Sequence, residues 1–457
     1  MKTQCLPKQR EEGNILLITL LTCLIIGFTL ASYLTLVSYQ NYSTMRSLAW
    51  NSAVPIMEAG VEEALTHIHY AGITNLAANG WSFVNSEFGG TYSKRRSLDD
   101  SYYEVYILPV EPPVVFSKGS VPAPTNPSRR LAATIASLGI SKEEFSRPYL
   151  TRSVQVNTSR RPKFTHAMVA KKGIDLSGNG ISTDSFDSRY DTHSTGGMYD
   201  PAKGGDNGDI ATTSGLIDSL NSGNAKIKGE VATGPGGSVE IGSLGSVGDS
   251  AWVESGTKGI QPGWSKDDMT VQFPDVEVPW TDSSPIGGTV GEQHYSMVLS
   301  SGMEQKKYKA SSVSGSIYVR ENSNVLLYVT DSLNIKGEDS IYIAPGASLT
   351  LVVGASKASI GGGGVVNPGG NALAFQYLGL PSNSSLALGG NAKFTGAIYA
   401  PQADFQLNGG GDDTYDFVGA SVTSTVKMNG HFNFHYDEAL ADLGPDIGYM
   451  VTDWNEI

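Results

Sequence analysis

Near its C-terminus the sequence reads HFNFHYD, residues 431–437. Imidazole and carboxylate groups are natural ligands for divalent ions. Side chains on a β-strand alternate between its two faces. His431, Asn433, His435 and Asp437 therefore share one face, and Phe432, Phe434 and Tyr436 share the other. The aromatic face is expected to seal a core. The polar face reads either as a solvated outer surface or as a divalent-ion site held by His431, His435 and Asp437. Two glycine-rich loops, GGDNGD (204–209) and GGGDDTYD (409–416), carry the hard carboxylate oxygens that Ca2+ takes. Neither matches an EF-hand loop or the nonapeptide of calcium-binding β-rolls.

Other chemistries find little support. The chain has no H-E-x-x-H, no G-x-S-x-G and no phosphate-cradling G-x-x-x-x-G-K-[ST]. His67 and His69 are two apart on a helical stretch, so they point to different faces. The 32 Lys and Arg against 45 Asp and Glu leave a net charge of −13, which repels phosphate backbones, so no nucleic acid partner is expected. After residue 170 the only arginines are Arg189 and Arg320. A polysaccharide lyase or hydrolase needs converging carboxylates beside a cation or base, and the scarcity of arginine argues against one. No catalytic residue and no organic cofactor is assigned. The only cysteines, Cys5 and Cys23, lie before or within the first apolar run, so the rest folds without disulfides or thiolate metal sites. The N-x-S/T sequons at Asn41, Asn157 and Asn383 are read as incidental.

The elements that carry these residues begin with an apolar run. No charge interrupts the stretch from Ile15 to Val37. As a helix this is about 34 Å, enough to cross a hydrocarbon core of about 30 Å. It is longer than the apolar region of a secretory signal, although TLA (29–31) resembles a cleavage site. A lipoprotein signal is disfavoured because Thr22 precedes Cys23 and the run continues beyond it. Lys2, Lys8 and Arg10 precede the run, while Glu58, Glu62 and Glu63 follow it, which places the N-terminus in the cytoplasm. Met45, Leu48, Ser52, Ile56, Val61, Leu65 and Ile68 continue a helical stripe. The expectation is one helix over 14–72 after a cytoplasmic leader of 1–13, with a kink or strain at Pro55.

Residues 73–165 read as a small α+β neck. SYYEVYILPV (101–110) and YLTRSVQVNTS (149–159) alternate as half-buried strands do, and RRLAATIASLGI (129–140) reads as a short helix. From 166 to 440 short strands alternate with glycine clusters. SIYV, SLNI and SLTL begin at the evenly spaced Ser316, Ser332 and Ser348, with NVLLYV (324–329) and SIYI (340–343) between them. This predicts a β-solenoid with a rung of about 16 residues and two strands per rung. An antiparallel meander repeats as evenly and stays open as the alternative. FQLNG (405–409) and VKMNG (426–430) are 21 apart, a longer rung, and 441–457 reads as a tail.

The leader, Gly13, the charge-free helix and MEAGVEEAL (57–65) resemble the type IV pilin-like class, and more narrowly the PilX-type pilus-assembly proteins. The resemblance implies cleavage by a prepilin peptidase after Gly13, with Asn14 as the mature N-terminus, and other pilins as partners. Major pilins carry a glutamate where this chain has Ile18, so the likeness is to the accessory type. GNAKFTGAIYAPQADFQLNGGG (390–411) and VGASVTSTVKMNGHFNFHYDEAL (418–440) are similar to the C-terminal domain that follows PilX-type heads. GNGISTDSFDS (178–188), NGDIAT (207–212) and GNAKIKGEVATGPGG (223–237) are similar to its upstream half. This second resemblance implies a right-handed parallel β-helix at a bacterial surface. The combined expectation is a mainly β, non-enzymatic, single-pass inner-membrane protein with its bulk periplasmic or extracellular, for pilus assembly or contact with a host or environmental surface. A polysaccharide-active enzyme and an anchored envelope protein without a pilus role are the alternatives.

Overall fold

The structure is a computed structural model that describes residues 12–125, 148–389, 393–408, 415–444 and 448–457. The chain is mainly β, with one long apolar N-terminal helix. It divides into two compact units, Met1–Arg161 with Gly448–Ile457, and Pro162–Ile447.

In the first unit, helix α1 (Glu12–Ala71) runs 60 residues, and Pro55 lies inside it without ending it. Strands β1 (Ser82–Ser86), β2 (Gly89–Leu98), β3 (Ser101–Leu108), β4 (Val114–Pro122) and β5 (Tyr149–Arg160) form an antiparallel sheet in sequence order. The sixth strand is Tyr449–Glu456, antiparallel to β5. The stretch expected as a tail therefore supplies a sheet strand. The helix expected at 129–140 lies outside the described residues.

Alternation sets the sheet's two faces. Tyr103, Val105, Ile107, Val115, Val154 and Val156 point to one side and meet Met57, Val61, Ala64 and Ile68 of α1. Of the predicted stripe, Val61 and Ile68 are buried, whereas Met45 and Leu48 remain exposed. The burial begins at Ala53 because only from there does the sheet lie beneath the helix. Two glycines permit the close approach. A Cβ on Gly60 would lie 2.4 Å from Ser117 Oγ, and one on Gly119 would lie 2.5 Å from the Ala53 carbonyl oxygen.

In the second unit, among the described residues, the paired strands run parallel except for the hairpin Ile286–Val290 with Gln293–Leu299. The antiparallel meander is thereby excluded. The predicted rung of two strands is also corrected. Ile317 pairs with Ile341 and Ile341 with Val365, and the same step of 24 separates Ser316 from Ser340, whose backbone N–H donates to the Ser316 hydroxyl. Strand segments recur at the short interval that the sequence indicates, but three of them, not two, make one circuit. Both 16 and 24 are even, so the inward parity is the same and the pattern alone cannot separate them. The longer step of 21 is observed directly, with Phe405 opposite Val426 and the Asn429 amide donating to Asn408 Oδ1.

The chain enters this stack in its middle. Strand Met168–Asp175 pairs with Tyr415–Asn429 on one side and with Ile210–Thr212 on the other. Strand Ser182–Phe186 likewise lies between Phe432–Asp437 and Lys226–Lys228. One arm, up to Lys266, grows away from this seam, and the other, from Ile286 to Asp437, grows back toward it. The segment between them returns along the stack. Tyr399 Oη donates to the Pro274 carbonyl at 2.7 Å, Val276 packs on Leu326, Val352 and Leu380, and Ser283 bridges to Tyr308. Stacked rings of Phe394, Phe417 and Phe434, 4.5 and 4.1 Å apart, form an interior ladder that reaches the seam.

Candidate functional site

Helix α1 holds the first functional feature. From Ile15 onward its apolar side chains are exposed, with Leu16 at 74% and Phe28 at 68%. The helix is long and apolar enough to cross a membrane. Gly13 and Asn14 lie in its first turn. Farther along, Glu63 receives hydrogen bonds from Tyr103 Oη and Arg96 and pairs with Lys94 at 3.1 Å. Burial opposes the Glu63 charge, but Tyr103 and Lys94 outweigh it and hold this carboxyl below its usual range. His67 accepts a hydrogen bond from Trp81 Nε1 at 2.9 Å. His69 accepts one from the Tyr449 backbone N–H at 3.0 Å, which ties the last strand to the helix. The two imidazoles serve separate contacts, as their spacing predicts.

The HFNFHYD strand forms the second feature, at the seam. Phe432, Phe434 and Tyr436 are buried, as the alternation requires, but His435 and Asp437 are buried as well. At His435 the polar face is not a solvated surface, because the loop that follows strand Ser182–Phe186 covers it, whereas His431 and Asn433 are half-buried. Tyr199 from that loop stacks on the His435 ring at 3.6 Å and donates to Asp184 Oδ2 at 2.6 Å. His435 Nδ1 lies 2.5 Å from Asp184 Oδ1, and Nε2 lies 3.5 Å from Asp416 Oδ1. Burial alone would push the imidazolium pKa down, but the two carboxylates prevail and hold it above the ordinary histidine value. His435 in turn lowers the Asp416 pKa. Burial pushes the Tyr199 phenol up, and Asp184 adds to the effect.

The three residues named as metal ligands have separate environments. His435 binds Asp184 and Asp416. Asp437 Oδ1 accepts the backbone N–H groups of Ser188 and Ala439, both at 3.1 Å. Burial raises the Asp437 pKa, and among the described residues its Oδ2 has no hydrogen-bond partner. His431 Nδ1 also lacks one. Among the described residues, no group of three or more His, Cys, Asp or Glu side chains is placed to hold a metal ion.

The acidic loops fare similarly. In GGDNGD, Asp206 Oδ1 accepts the Ser250 N–H at 2.9 Å, and Asp209 Oδ1 accepts the Glu230 N–H at 2.6 Å. Burial pushes the Asp209 carboxyl up to about 6. Residues 409–414 of the second loop lie outside the described residues; its Asp416 belongs to the histidine cluster. The sequon residue Asn383 is fully buried, where its amide donates to Ala355 O at 2.7 Å, so it offers no acceptor to a glycan.

Sequence reasoning missed Asp184 and Tyr199. Asp184 lies 251 residues from His435, and only the register of two non-neighbouring strands joins them. Over residues 309–443 the chain is similar to a family model described as a domain of unknown function (DUF7305), which spans most of the returning arm and its seam. No curated protein and no solved structure matches the chain.

Proposed function

We propose that this chain is a non-enzymatic, minor pilin-like protein of the bacterial envelope. Its helix crosses the inner membrane once, with the N-terminus in the cytoplasm. The second unit, as a right-handed parallel β-helix, stands outside as a stiff surface for pilus assembly or adhesion. One observation carries the reading. The same continuous helix that bares apolar side chains over its first part becomes, from Ala53 onward, a layer of the neck's core. An anchor joined to its head by a flexible linker would not share a core with it. The parallel pairing and the regular steps of 21 and 24 support the β-helix. The acids of the seam point inward to histidine, backbone and hydroxyl partners, which suits a scaffold better than a reacting centre.

Mass spectrometry of the mature N-terminus, in cells with and without a prepilin peptidase, tests the reading. A chain starting at Asn14 only when the peptidase is present is the expected result. A start at Met1 in both strains refutes the pilin-like assignment and leaves an anchored envelope protein. A start at Ser32 or Cys23 indicates a secretory or lipoprotein signal instead.

A further inference from the structure

Strands β1–β3 carry a cleft of about 310 Å3, at the lower end of small-molecule sites (about 300–1,000 Å3). Its lining includes Ser82, Ser93, Arg95, Glu104 and Tyr106. The strand register brings these groups together. Ser82 pairs with Ser93 and Ser93 with Tyr106, while Arg95 pairs with Glu104. Gly80, in the left-handed region at φ 79°, turns the chain at the cleft's edge and leaves it open.

We infer that this cleft binds a neutral sugar residue of a surface glycan. The charges decide the class of ligand. Arg95 lies 3.2 Å from Glu104, so each cancels the other's field. Lys94, also in the lining, is committed to Glu63 at 3.1 Å and to the Asn79 carbonyl at 2.9 Å. An anion would face the Glu104 carboxylate. A metal ion would find one carboxylate and a guanidinium. An apolar ligand would have to strip water from both charged groups without replacing their hydrogen bonds. A polyhydroxylated ring replaces them. Its hydroxyls donate to Glu104 and accept from Arg95, whose side chain is 58% exposed, and the serine hydroxyls add both kinds of group. The Tyr106 ring supplies an apolar wall for the C–H face of a sugar. The cleft holds roughly one or two such rings, so a chain end or a single branch fits and an enclosed oligosaccharide does not.

The inference rests on the neck standing outside the cell, as proposed above. Its test is saturation-transfer NMR on the full chain in a zwitterionic detergent, since glycoside detergents carry the ligand's own chemistry. The probes are glucose, galactose, mannose, N-acetylglucosamine and N-acetylgalactosamine, with acetate and phosphate as anion controls. At least one sugar is expected to bind saturably and the anions not at all. Glu104→Gln, which removes a charged acceptor but keeps the shape, is expected to weaken that binding about tenfold. Ser93→Trp, which fills the cleft, is expected to abolish it. Hydrogen exchange of β1–β4 shows whether each variant keeps its sheet. Silence with all five sugars, binding of the anions in their place, or sugar binding unchanged in both variants overturns the assignment. Cleavage at Gly13 is read separately, so a failure of the pilin-like reading and a failure of the sugar site are told apart.

Discussion

The packing of the second part of α1 as a core layer can be tested with two glycines on opposite sides of one interface. In Gly119→Ala, the new Cβ would lie 2.5 Å from the Ala53 carbonyl oxygen and 2.7 Å from the Met57 nitrogen. Both are helix backbone atoms, so the helix itself has to lift. Replacing a strand glycine gains about 0.5–1 kcal/mol from the unfolded chain. Overpacking costs about 1–3 kcal/mol, and loosened contacts of Met57 and Val61 add to it, so the net loss is about 2–4 kcal/mol. In Gly60→Ala, the nearest atom is Ser117 Oγ at 2.4 Å, a side-chain atom that can rotate away. Rotation forfeits its 2.7 Å bond to the Met57 carbonyl, worth about 1 kcal/mol. A small push on the Tyr103 ring, 3.1 Å away, adds a comparable cost. The gain in helix propensity, about 1 kcal/mol, offsets much of this. Gly119→Ala should therefore destabilise the neck by about 1–3 kcal/mol more than Gly60→Ala. Hydrogen exchange of peptides covering residues 53–68, measured on the full chain in detergent, reads the difference. Equal protection in both variants, or an undisturbed helix in Gly119→Ala, would show that the second part of α1 does not pack as a layer.

Three further outcomes follow from the second unit. His435 has a raised folded-state pKa, so its ion pairs stabilise fully below the unfolded value of about 6.5 and that contribution is lost as pH rises through the folded value. His435→Gln should cost about 3 kcal/mol near pH 6, with the deficit shrinking at alkaline pH, as read from urea midpoints across the range; a deficit that grows with pH contradicts the ion-pair account. Asp209 is displaced upward from 3.8 to about 6, so its ionisation weakens the fold as pH rises between those values. Asp209→Asn, which keeps the Oδ1 acceptor, should gain up to about 3 kcal/mol at pH 7 and little below pH 4, and thermal melts at both pH values check it. Gly419 has φ 145°, and a Cβ there would lie 1.7 Å from the Gly396 carbonyl oxygen, whereas one on Gly389 would lie 3.5 Å from its nearest neighbour. Gly419→Ala should abolish cooperative unfolding of this unit and Gly389→Ala should leave it intact, with both followed by circular dichroism.

How far the sequence reveals the fold depends on the distance over which each pattern acts. The apolar run from Ile15 to Val37 and the alternation in SYYEVYILPV are local, and both elements appear where they are expected. The regular spacing of SIYV, NVLLYV and SLNI is also local, but the number of segments in a circuit is a property of the corners. Ile317 meets Ile341 because two turns and a bend inside strand Asn324–Ile335 intervene, and nothing within either segment records that number. The covered face of HFNFHYD was hidden for the same reason. Alternation places His435 opposite Phe434, but whether that face meets water depends on Tyr199 and Asp184, which approach through a strand register set elsewhere. The final strand Tyr449–Glu456 shows no alternation of its own, and its partner β5 is remote in sequence. Thr452, which donates to the Asn157 carbonyl across that pair, is 295 positions from it. No periodicity crosses that gap.

That gap also explains how the two units share one chain. The second unit is inserted between adjacent antiparallel strands of the neck, β5 and Tyr449–Glu456, and the Arg161 N–H donates to the Gly448 carbonyl at 2.8 Å where the chain leaves and returns. Inside the insert, the first strand abuts the last circuits, so its own entry and exit are also neighbours. Each unit thus closes through its own hydrogen bonds, and the junction asks only that two chain ends stay close, the condition under which insertions are tolerated. The ends of the stack, by contrast, are made from mid-chain segments, Gly259–Lys266 at one and Ile286–Val313 at the other. Circuits can be added or lost there without altering the seam, the neck or the helix. The arrangement places any change in the stack's length at the positions farthest, along its hydrogen-bonded strands, from the seam.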